Sequence, residues 1–149
     1  MKILPFSFLF PLFCLPAFAQ HGAIMHLVQT EAMVTVWSVT NNNVITLPTP
    51  VQSGIVYDYT VDWGDGSVEH VTAANNAHTY VTGGIFTNRI TGTLQKWNFN
   101  NGGNATNLIR ILSFGNTRFT DLSAAFDGCT GLTGSIPSLS ANTDRKSVV

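Results

Sequence analysis

The stretch VDWGDGSVEH, residues 61–70, gathers Asp62, Asp65, Ser67, Glu69 and His70 in a chain of which only 10% of residues are charged. Three chemistries could use such a set. A Ser-His-Asp relay could draw on Ser67, Asp65 and either His70 or His78. It needs a base within hydrogen-bond reach of the hydroxyl, a group that orients the base, and an oxyanion hole. Asp65 and Ser67 lie at a tight turn, where backbone N–H groups are their natural partners. His70, three residues beyond Ser67 in a strand, points to the opposite face, and no G-x-S-x-G elbow is present. A glycosidase pair of Asp62 and Asp65 would have to flank a sugar cleft; two residues three apart across one turn do not. Calcium takes oxygen ligands, and Asp58, Asp62, Asp65 and Glu69 cluster near one hairpin. Their spacing is not D-x-D-x-D-G, however, and no bidentate Glu stands at the expected distance. The simplest reading is a turn: Gly64 and Gly66 accept positive φ, Asp65 accepts N–H bonds, and Trp63 plugs a core with its indole N–H partnered. No catalytic residue and no cofactor is expected.

The elements that would carry this turn are strands. Residues 31–39 are β-branched and aromatic, Asn41, Asn42 and Asn43 form a turn, and 44–47 make a short strand closed by Pro48 and Pro50. From Gly54, the residues Ile55, Tyr57, Tyr59, Val61 and Trp63 alternate with Val56, Asp58, Thr60 and Asp62, which sets an apolar face against a core. Residues 68–72 make the return strand, 73–77 a loop, and 85–94 a further strand with Phe86 and Ile90 on one face. Asn, Thr, Gly and Ser fill the polar positions. No segment shows a helical apolar period, and no basic patch suits nucleic acid.

The run VDWGDGS, followed by His78-Thr79-Tyr80 and a glycine-led strand, resembles the PKD domain over residues 31–94. The marks of that family are a W/F-G-D-G-S turn (here Trp63, Gly64, Asp65, Gly66, Ser67) and a later H-x-Y (His78 and Tyr80). The resemblance implies an all-β, antiparallel immunoglobulin-like β-sandwich in which Tyr80 packs inward. Asp62 departs from the apolar residue usual before the Trp.

Residues 95–107, rich in Gly and Asn, read as a linker, within which Asn104-Ala105-Thr106 fits an N-glycosylation pattern. Beyond it, Leu108, Ile109, Ile111, Leu112 and Phe114 form an apolar strand. Residues 120–126 are expected to make one or two helical turns, capped by Thr120 or Asp121 and ended by Gly128. The run AAFDGCTGL resembles the core of a BspA-type leucine-rich repeat, which implies an incomplete unit over 108–143 with Cys129 as a buried, inert residue. One unit does not bury its own face, so Phe114, Phe119, Phe126 and Leu132 are expected to be partly exposed.

Residues 1–19 read as a cleavable signal peptide. Lys2 is the positive start, 3–15 the apolar stretch, and Ala17-Phe18-Ala19 the cleavage site, so that the mature chain begins at Gln20. Phe13 before Cys14 is too large for lipoprotein processing. The mature chain then holds six Lys and Arg against eight Asp and Glu, and Cys129 alone, so no internal disulfide forms. Residues 20–30, with His21 and His26, read as a loose lead-in. No other apolar run is long enough to span a bilayer. The last six residues, DRKSVV, have a codon choice that matches a common sequencing adapter, and 144–149 are expected to be an artefactual tail on a truncated fragment.

Together these features point to a secreted or cell-surface protein of bacterial type. Its expected role is non-catalytic interaction or adhesion with an extracellular protein or carbohydrate. An accessory domain of a secreted hydrolase is the alternative.

Overall fold

The computed structural model describes residues 32–139. The expected signal peptide, the lead-in and the tail lie outside the described residues. Seven strands follow in order: β1 (Met33–Val39), β2 (Asn43–Thr46), β3 (Tyr57–Asp62), β4 (Val68–Val71), β5 (Ala77–Tyr80), β6 (Gly84–Leu94) and β7 (Leu108–Ser113). The all-β expectation holds: among the described residues the seven strands pair antiparallel, and the one named helical element is a 3-10 turn at Ala105–Asn107.

Five strands form one sheet in the order β4-β3-β6-β1-β7, and β2 and β5 form a second. One apolar core joins both sheets. Tyr57, Tyr59 and Val61 enter it from β3, Met33 and Trp37 from β1, and Ile45 and Tyr80 from the two-stranded sheet. The period-two pattern of β3 is realised residue by residue, with Asp58 exposed and Thr60 and Asp62 half-buried on the other face. β3 begins at Tyr57 rather than Gly54, because Gln52 O accepts the Ile55 N–H and bends the chain there.

Residues 95–107 do not behave as a linker. Trp97 is fully buried and Phe99 nearly so, and both rings pack against Trp37 of β1, at centroid distances of 6.4 and 6.1 Å. β7 then joins the five-stranded sheet beside β1. The Asn104 side chain lies on the edge of β2: its Oδ1 accepts the Thr46 N–H at 2.8 Å and its Nδ2 donates to Val44 O at 3.1 Å. The amide nitrogen of the glycosylation pattern is thus occupied by the fold.

The expected helix over 120–126 is replaced by successive tight turns. Leu122 O accepts the Ala125 N–H, Ala124 O accepts the Asp127 N–H, and Phe126 O accepts the Cys129 N–H. Ala124 takes a φ of +49°, outside the right-handed helical region, and interrupts any helix there; Ser123 O, Ala124 O and Asp127 O also accept laterally from Asn98, Asn100 and Asn101. With no helix to cap, the Asp121 side chain closes a turn instead: its Oδ1 accepts the Ser123 N–H at 2.8 Å. Phe114, expected to be partly exposed, is buried at 4% exposure, whereas Phe119, Phe126, Leu132 and Cys129 are half-buried.

Candidate functional site

The β3–β4 turn is closed by its own residues. Asp62 Oδ1 accepts the Gly64 N–H at 2.9 Å, Asp65 Oδ1 accepts the Ser67 N–H at 2.9 Å, and the Trp63 N–H donates to Ser67 O at 3.0 Å. Gly64 has φ +78°, and a Cβ there would meet the Thr87 carbonyl oxygen at 2.6 Å. Both the left-handed backbone and the neighbouring strand therefore require glycine.

The H-x-Y residues lie on β5, in the other sheet, and both reach back to this turn. The His78 ring stacks on Trp63, with centroids 4.7 Å apart and planes 14° apart. His78 Nε2 lies 2.8 Å from Asp65 Oδ2, and Nδ1 lies 3.6 Å from Glu69 Oε1. The Tyr80 hydroxyl lies 2.9 Å from both Trp63 O and Asn88 Oδ1 and can donate to either. Burial pushes the Asp65 carboxyl up, but the His78 ring and the Ser67 N–H and hydroxyl outweigh it, and the group ends below its ordinary value. Burial raises the Tyr80 phenol well above its usual range. Trp63 is fully buried as expected, but its indole N–H has no hydrogen-bond partner among the described protein groups.

The candidate relay residues are brought near one another in the wrong order. Asp65 accepts from Ser67 and faces His78, so the carboxylate stands between hydroxyl and imidazole. His70 is turned away on the exposed face of β4, where Nε2 lies 2.8 Å from Asp58 Oδ1. The four candidate calcium ligands are divided in the same way. Asp58 faces His70, Asp62 and Asp65 hold the turn, and Glu69 Oε2 accepts from Asn76 Nδ2 at 3.2 Å. Among the described residues, no three His, Cys, Asp or Glu side chains converge to hold a metal ion. Cys129 sits half-buried; burial, with Asp127 nearby, pushes its thiol up to about 11, away from nucleophilic chemistry.

Two surface clefts lie elsewhere. One, of about 300 Å³, is lined by Val51, Gln52, Ile55, Val56 and Tyr57 among others; the second, of about 150 Å³, lies beside Asn98 and Asn104. Neither is lined by an acid or a histidine.

Sequence reasoning named His78 and Tyr80 but did not foresee that both close on the same turn from the opposite sheet. The available signal was the pairing of a lone Asp between glycines with a downstream His. No protein-family model, curated protein or solved structure matches the chain.

Proposed function

We propose that the chain is a non-catalytic interaction or adhesion module of a bacterial secreted or surface protein. In this reading a PKD-like, immunoglobulin-like sandwich carries the beginning of a BspA-type leucine-rich-repeat region. The observation that supports it best is how the densest polar cluster is used. Asp62, Asp65, Ser67, His78 and Tyr80 satisfy one another or the backbone and join two sheets, which is the behaviour of a fold-fixing corner. The order Ser67–Asp65–His78 also leaves the hydroxyl without an imidazole to accept its proton.

The ligand in this reading is an extracellular protein in preference to a carbohydrate. Sugar recognition draws on exposed aromatic faces, whereas Trp37, Trp63 and Trp97 are fully buried. The chain beginning at Gln20 should bind saturably to members of a panel of immobilised extracellular proteins and turn over no ester, peptide or glycoside probe. Turnover that disappears in Asp65→Ala would overturn the proposal. Export itself is checked by N-terminal sequencing of the secreted protein, which should begin at Gln20.

A further inference from the structure

Residues 94–109 and 117–133 run side by side in the same direction. Lys96 Nζ donates to Asp121 Oδ2 at 2.6 Å across a parallel bridge, over a separation of 25 residues. Asn98 Nδ2 donates to Ser123 O, and the Thr120 hydroxyl donates to Gln95 O, each over 25 residues. The Thr133 hydroxyl donates to Ile109 O over 24. Backbone bonds fill the same register: Leu94 to Thr117, Thr120 to Gln95, Asn100 to Ala124, Asn101 to Asp127, and Thr133 to Ile109. A near-constant separation kept over such a length is the geometry of one coil laid on the next, not of a loop folded over a sheet.

The residue types recur with the register. Ala105-Thr106-Asn107-Leu108 in the first coil is met by Cys129-Thr130-Gly131-Leu132 in the second. The second coil approaches closely where it carries glycine. A Cβ on Gly131 would lie 2.6 Å from Thr106 O, and one on Gly128 would lie 2.9 Å from the Asn101 Cα. In the first coil Ala105 and Leu108 are buried, at 3% and 0% exposure; their counterparts Cys129 and Leu132 pack on the core yet stay half-buried. The first pair lies between the sheet, where Leu108 pairs with Trp37 of β1, and the second coil; the second pair has a coil on one side only.

We infer that the two sheets cap a parallel solenoid that starts at Leu94, the last residue of β6, and runs on through the expected linker. The open side of its second coil is a docking surface for a third coil of the same pattern: a large apolar residue, a glycine, a small residue, a glycine and a leucine, laid parallel to residues 117–133. The inference rests on the repeat-like part of the proposed function and gives it a specific partner. Continuity with the interface between the first two coils argues for this occupant, because the second coil repeats the residue types that already receive a coil one step below.

The test extends the chain that begins at Gln20 with a second copy of residues 115–139 after Leu139. Alanine replaces cysteine in the added copy, so that Cys129 alone reports. Relative to the unextended chain, Cys129 alkylation should slow at least tenfold and Tm should rise. Gly128→Val with Gly131→Val, introduced only in the added copy, should return both values to those of the unextended chain. Unchanged alkylation and Tm in the extended chain overturn the inference, as does equal protection by the valine-bearing copy. A chain that gains protection but binds no extracellular protein retains the docking surface and removes the adhesion reading.

Discussion

Trp63, Asp65, His78 and Tyr80 form a unit in which each residue restrains another. The imidazole is held between an indole face and a carboxylate, and the tyrosine ring meets His78 edge-on at 4.7 Å and 89°. Such residues should not behave additively. A double-mutant cycle of Asp65→Ala and His78→Ala, read by chemical denaturation, should give a coupling of about 0.5–1.5 kcal/mol, since the pair is mostly but not wholly shielded from water. Simple additivity would mean that the contact does not clamp the sheets. The turn itself was legible: Gly-Asp-Gly after an alternating strand admits few other structures. Its partner was not, because the distance between Asp65 and His78 along the chain carries no information about which strands share a core.

At the scale of elements, the alternation in β3 was readable because only one side of that strand is buried. Residues 95–107 were misleading for the opposite reason. Asn and Gly dominate the count, while Trp97 and Phe99, two apart and therefore on one face of an extended chain, carry the packing. The spacing W-x-F was the available signal. Trp97→Ala distinguishes the alternatives. It should destabilise the protein by about 3–5 kcal/mol, in a single cooperative transition shared by both sheets. A linker residue would leave the midpoint where it is. The failed helix over 120–126 has a related cause: a capping residue and a terminal glycine are local signals, whereas nothing in the local sequence marks Ala124 for a φ of +49° or announces the bonds from Asn98, Asn100 and Asn101.

For the whole molecule, the titrating groups set a window of stability. Asp65 is held low despite its burial, by His78 and Ser67, and Asp121 is held low chiefly by Lys96. A carboxylate whose pKa is depressed in the fold contributes stability above its unfolded value of 3.8, and that contribution is lost as pH falls through the folded value. Burial lifts Tyr57 and Tyr59 from 10.0 to about 12, and Cys129 from 9.0 to about 11. These groups favour the fold while protonated, so their contribution is complete below the unfolded values and fades as pH climbs through the folded ones. Thermal unfolding followed across pH should therefore show a plateau from about pH 4 to about pH 9, with loss on both sides. A curve that keeps rising above pH 10 would contradict the buried-phenol assignment.

The strand order has a consequence in time. The residues of β1 are made early, yet their neighbours are β6 and β7: Met33 waits for Ile90, and Val34 for Ser113. Nothing local can complete the central sheet, so collapse must span most of the chain, and folding belongs to the slow, high-contact-order regime of milliseconds to seconds. A polypeptide that stays open while it is being made exposes its apolar strands until Ser113 has emerged, so crowding and chaperones meet it before its own core does.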